Sequence, residues 1–194
     1  MHGKPSRNWG ARWAVCPRVC YSLTMPMRVA DFMAQIRHRT LELLPRGLRE
    51  GLTARVRFVW LQMHYHSPKV HYEVWLTRKT GRIEIGLHFE GPREFSYRWA
   101  ERMAEHMPEI AAGLGPHVEL EEWTPSWTRI HQTLLYDPPS EALAEEVARR
   151  LAEMITVLQP IVESERHNVP QELEREVVAG RTLRGRRLAK GRRR

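Results

Sequence analysis

The sequence predicts an α+β fold: one antiparallel sheet with helices packed on one of its faces. Three observations predict it. Apolar residues alternate with period two through three successive runs between residues 55 and 90. They recur at helical spacing in segments before, between and after the strand runs. Turn-forming residues separate the segments. At 194 residues the chain is long enough for one domain with a full core.

Each element follows from its pattern. Residues 29–44 put Val29, Phe32, Met33, Ile36, Thr40, Leu43 and Leu44 on one helical stripe, and Pro45 with Gly47 ends it. Residues 55–65 alternate with Val59, Leu61, Met63 and Tyr65 on one side. Residues 70–77 alternate with Tyr72, Val74 and Leu76, and residues 82–90 with Ile83, Ile85, Leu87 and Phe89. A loop over His66 to Lys69 pairs Leu61 with Val74 and Met63 with Tyr72. A two-residue turn at Thr80-Gly81 pairs Tyr72 with Phe89 and Val74 with Leu87. This register gathers every large apolar residue on one face, which a one-residue slip would scatter.

Residues 92–112 read as a second helix with Phe95, Trp99, Met103, Met107 and Ile110 inward, kinked at Pro108 and stopped at Gly113 and Gly115. A second hairpin, residues 117–123 and 127–136 around Thr124-Pro125-Ser126, sets Glu121 against Arg129, Glu119 against His131 and Trp123 against Trp127. Ser140 caps a last helix carrying Leu143, Val147, Leu151, Met154, Leu158, Ile161 and Val162 inward. Residues 171–179 suggest a short helix, and from Gly180 onward the chain lacks core-forming residues. The expected domain is residues 29–166, between a basic leader, 1–28, and a basic tail within 167–194.

Charge is unevenly placed. Residues 181–194 hold eight basic side chains (Arg181, Arg184, Arg186, Arg187, Lys190, Arg192, Arg193 and Arg194) and residues 1–28 hold five, with no acid in either. That leaves 18 basic side chains against all 23 acids over residues 29–180, so the +8 net charge belongs to the arms. The tail fits non-specific, salt-dependent binding to nucleic acid. No run of 18 apolar residues exists to span a membrane, and the two cysteines, Cys16 and Cys20, fit a reducing, cytoplasmic compartment. Met25 or Met27, just before the first helix, is an alternative start.

At this point several residues resemble an uncharacterised prokaryotic domain family, found alone or appended to restriction-type and other DNA-processing proteins. The resemblance spans Val70 to Glu163. It rests on His71-Tyr72-Glu73-Val74, on a helix ending at Gly113-Leu114-Gly115, on Leu120-Glu121-Glu122-Trp123 with Trp127-Thr128-Arg129-Ile130, and on Leu158-Gln159-Pro160. It implies an association with DNA processing and brings no catalytic motif.

No phosphate-cradling glycine loop, G-x-S-x-G, H-E-x-x-H or C-x-x-C occurs, so the residues favour a non-catalytic binding module over an enzyme. The second face of the first sheet carries the remaining signals. The predicted rows are Trp60–Trp75–Gly86, Gln62–Glu73–His88 and His64–His71–Glu90. Trp60 and Trp75 side by side suggest a protein-contact or homodimer face. His64, His71 and Glu90 are candidate ligands for a divalent metal, the basis of an alternative role as a metal-dependent enzyme. The bland alternatives are ordinary cross-strand ion pairs and a tryptophan covering a glycine.

Overall fold

The computed structural model describes residues 27–170 except Arg78; the basic tail, Cys16, Cys20 and the short helix expected over residues 171–179 lie outside the described residues. The elements are α1 (Val29–Leu43), α2 (Arg46–Arg49), β1 (Thr53–Arg57), β2 (Trp60–His64), β3 (Val70–Thr77) and β4 (Arg82–Phe89). After them come α3 (Arg93–Glu105), α4 (Met107–Leu114), β5 (Glu119–Thr124), β6 (Trp127–Leu135) and α5 (Glu141–Glu165). The six strands form one antiparallel sheet in the order β1-β2-β3-β4-β6-β5.

The fold class is that of an α+β protein with helices on one sheet face. Leu61, Met63, Tyr72, Val74, Leu76, Ile83, Ile85, Leu87, Phe89 and Ile130 point into one core. Phe32, Met33 and Ile36 of α1, Phe95, Trp99 and Met103 of α3, and Val147, Leu151, Met154 and Leu158 of α5 meet them there. Ser140 caps α5, its Oγ accepting from the Leu143 N–H at 3.2 Å. At the far end of α5, Glu165 accepts from Arg102 (2.7 Å) and Asn168 (2.7 Å) and lies 2.9 Å from His106 Nε2, tying the helix to α3. No helix among the described residues is long and apolar enough to cross a membrane.

Four local expectations are corrected. The run 55–65 is not one strand: it folds back at Phe58-Val59 into the β1–β2 hairpin, with Arg57 opposite Trp60. Phe58 takes a left-handed φ of 43° there, a conformation ordinarily left to Gly, Asn or Asp, so the residues carry no turn signal. The β2–β3 register is as expected, Leu61 facing Val74 and Met63 facing Tyr72. The β3–β4 register slides by two: Tyr72 faces Leu87, Val74 faces Ile85 and Thr77 faces Arg82 across a four-residue turn. A two-residue turn at Thr80-Gly81 would have set Lys79 against Arg82, and like charges directly opposite repel. Instead the Thr80 N–H donates to Thr77 O (3.2 Å), and Gly81, φ 63°, makes the return.

In the second hairpin Glu119, Leu120 and Glu121 face His131, Ile130 and Arg129 as expected. Trp123 does not oppose Trp127, because the loop is only Pro125-Ser126. Thr124 faces Trp127 and Trp123 is the extra residue of a bulge. Finally, residues 92–112 form two helices divided at His106. Pro108 lacks an N–H and its ring would crowd the carbonyl four residues back, so α3 stops and α4 starts afresh with Pro108 in its first turn.

Candidate metal centre

Because side chains alternate along a strand, the register that buries Val74 and Leu87 places His71, Glu73 and Trp75 of β3 and Glu84, Gly86 and His88 of β4 on the opposite face, which carries no helix. The two-residue slide decides which of them meet. The rows are Trp60–Trp75–Glu84, Gln62–Glu73–Gly86 and a third holding His71 beside His88. Glu90 follows directly after β4, where its N–H donates to Lys69 O at 2.7 Å.

His71 and His88 are both wholly buried, at 0% exposure, and their rings stack with centroids 5.4 Å apart. Each is anchored through one nitrogen. His71 Nδ1 lies 2.8 Å from the Pro68 carbonyl oxygen, which can only accept, so Nδ1 carries a hydrogen and donates to it. His88 Nε2 lies 3.0 Å from Glu84 Oε1 and donates to it. The other two nitrogens, His71 Nε2 and His88 Nδ1, are buried and have no hydrogen-bond partner. Both face Glu90 Oε1, at 3.9 and 3.5 Å, and His71 Nε2 also lies 3.6 Å from Glu73 Oε2.

Gly86 is a condition of this arrangement. A Cβ there would sit 3.0 Å from His88 Nε2, 3.0 Å from His131 Cβ and 3.1 Å from Ile130 O. The missing side chain is the space through which the His88 ring lies back along its own strand to reach Glu84.

The electrostatics hold positive charge at the centre. Burial opposes a charged His88, but the hydrogen bond to Glu84, the Glu90 carboxylate 3.5 Å from Nδ1 and the nearby Glu73 carboxylate outweigh it and lift its pKa to about 9. Burial likewise pushes Glu84 up, while His88, Arg129 and His131 more than offset it and hold its carboxyl below the ordinary range. Glu84 Oε2 accepts from Arg129 Nη1 (2.5 Å), and Arg129 also donates to Glu121 through Nε and Nη2 (3.0 and 2.5 Å). Trp123, carried over the face by its bulge, sets its ring edge-on to His88 (5.1 Å) and Trp75 (5.9 Å), with the Arg129 guanidinium 5.4 Å away.

Of the residues singled out from sequence, His71 and Glu90 lie together, and the third donor within reach is His88. Their ligand atoms all fall within 4.8 Å of one another. His64 stands one strand over, with both ring nitrogens buried and unpartnered; burial, then Arg55 and His71, push its pKa down. Trp60 and Trp75 are cross-strand neighbours, each half-buried on the open face. A second group, Glu119, Glu121 and His131, lies toward the β5 edge. His131 Nε2 is 2.9 Å from Glu121 Oε1 without hydrogen-bond geometry, and burial followed by Arg129 lowers its pKa. No family model, curated protein or solved structure matches the chain.

Proposed function

We propose that this protein binds a divalent transition-metal ion on the open face of its sheet, through His71 Nε2, His88 Nδ1 and Glu90, with Glu73 the nearest fourth donor. The observation that carries this reading is the pair of wholly buried ring nitrogens without partners, each on a ring whose other nitrogen is anchored. A backbone carbonyl behind one histidine and a carboxylate behind the other are the outer-shell partners that fix the tautomer of metal-ligating histidines. Ligands about 2.0–2.2 Å from a zinc-like ion stand about 3–3.6 Å apart from one another, near the donor separations here. Two imidazoles and a carboxylate suit zinc, iron(II) or manganese rather than calcium. The ion takes the place of the proton at His88 Nδ1.

The second group supports a site less well. Glu119 is largely exposed, and Glu121, half-buried, is already engaged by Arg129. The test is metal analysis and zinc titration of the EDTA-treated full chain, with Cys16 and Cys20 changed to serine so that arm thiols do not contribute. One bound equivalent is expected, lost in His71→Ala and in His88→Ala. Glu84→Gln, which weakens the anchor of His88, is expected to lower affinity about 10- to 100-fold. No uptake by the parent chain, or uptake lost only in His131→Ala, overturns the reading.

A further inference from the structure

The same open face has a second end with different chemistry, where the β1–β2 and β3–β4 turns lie side by side. Arg57 faces Trp60, Trp60 faces Trp75, and Thr77 faces Arg82, so one end of the sheet gathers arginines and indole rings. Arg55 stands on the same side of β1, opposite Gln62. Arg55, Arg57 and Arg82 are exposed, and none makes an ion pair among the described residues; Arg82 donates only to Thr133 Oγ1 (3.0 Å). No carboxylate occurs between Gly51 and Tyr72 or between Val74 and Ile83, although the body as a whole is acid-rich. Glu84, the acid that follows in the tryptophan row, is neutralised by His88 and Arg129.

At the tip stands Phe58, 87% exposed, in a left-handed backbone conformation. A bulky residue gains nothing for the fold there, since it buries little area and strains its own backbone. Asn or Gly would serve the turn better. An exposed aromatic ring at such a cost, in the turn that joins Arg57 to Trp60, fits a planar, anionic partner.

We propose that this end of the sheet docks single-stranded nucleic acid, the arginines on β1 and β4 meeting phosphates and Phe58, Trp60 and Trp75 receiving bases. Strands that present aromatic rings beside a positive surface bind single strands in this way, because each base has a face to stack while the backbone follows the charge. A duplex keeps its bases stacked inside and gains only from the charges. The surface adjoins the metal centre, since Trp75 meets Trp123 and Trp123 meets His88, but its arginines and Phe58 are not among the proposed metal ligands.

The test compares a labelled oligo(dT) with a duplex of equal charge on the full chain, by anisotropy across a salt series. The tail contributes to both probes, so the reading lies in the difference between them. Arg55→Glu with Arg57→Glu is expected to reduce the salt-dependence slope for oligo(dT) by about 1.4, at about 0.7 per phosphate contact. Phe58→Asn is expected to weaken oligo(dT) binding at least about fivefold, the loss of one stacked base, with duplex binding unchanged. The same variant is expected to raise the thermal midpoint, since it relieves the turn. Unchanged oligo(dT) binding in both variants overturns the proposal, as does equal weakening on both probes by Phe58→Asn. A lowered midpoint also overturns it, showing that Phe58 serves the fold. Loss of a dimer on Phe58→Asn with oligo(dT) binding intact assigns the surface to a second copy and overturns it too.

Discussion

The two faces of β4 are almost equally closed to solvent and are closed by opposite means. Ile83, Ile85, Leu87 and Phe89 on one side are wholly buried against the helices. Glu84 and His88 on the other are buried as well, at 7% and 0% exposure, yet no helix lies over them. The first face is held by shape and apolar area. The second is held by pairing: Glu84 with His88 and Arg129, Arg129 with Glu121, and Trp123 laid across the top. Burying charge is favourable only when each charge finds its partner, so the second face tolerates little change of geometry but some change of charge. A proton completes it at His88, and on the reading proposed above a metal ion would do so in its place. One strand thus separates what the fold needs from what the site needs.

Substitutions on the two faces sharpen this contrast. Leu87→Ala, on the core side, is expected to have the largest effect on stability, about 2–5 kcal/mol from lost burial and the cavity left behind. Denaturant unfolding measures it, and zinc affinity of the folded variant is expected to stay within a few fold. A large loss of affinity would show that the two faces are not separable. One position along on the open side, Gly86→Ala is expected to cost about 1–3 kcal/mol, because its methyl group meets the His88 ring and Ile130 O, which is backbone and cannot step aside. Here affinity is expected to fall at least about tenfold, since His88 loses its anchored orientation. The smallest effect belongs to a buried carboxylate away from both faces. Arg102 first, then Asn168 and His106, lower the Glu165 pKa to about 2. A depressed carboxyl contributes stability that is complete above its unfolded value of about 4.3 and is lost as the pH falls through the folded value. Glu165→Gln should therefore flatten the stability profile between about pH 4.3 and about pH 2, with no change in metal affinity at neutral pH. An unchanged acid limb in the variant would remove Glu165 from the account of acid stability.

The contrast between faces was legible in the sequence because alternation needs no knowledge of partners. Leu61, Val74 and Leu87 are enough to set their neighbours on the other side. The particular partners were less legible. Sliding β4 by two residues keeps every side chain on its face and still exchanges Glu90 for His88 opposite His71, so apolar patterning is blind to it. The signal that distinguishes the registers is electrostatic, the Lys79–Arg82 clash that a two-residue turn would create. The β1–β2 hairpin was hidden for a different reason: Phe58 occupies a turn position against its own backbone preference. Alternation alone sets Trp123 opposite Trp127, because a bulge looks like ordinary alternation until the loop length is known.

The order in which the site's groups occur along the chain bears on how the protein folds. His71, Glu73, Glu84, His88 and Glu90 all belong to one hairpin, whose closure brings together residues near in sequence and is quick for that reason. Arg129, which completes the charge pairing of Glu84, is 45 positions further on and arrives only when β6 docks beside β4 after α3 and α4 have intervened. Closing one hairpin is therefore enough to bring the donor set together, whereas Arg129 reaches Glu84 only through the β4–β6 pairing. A metal ion held by that donor set would stabilise that one hairpin against competing strand pairings, which couples metal affinity to folding.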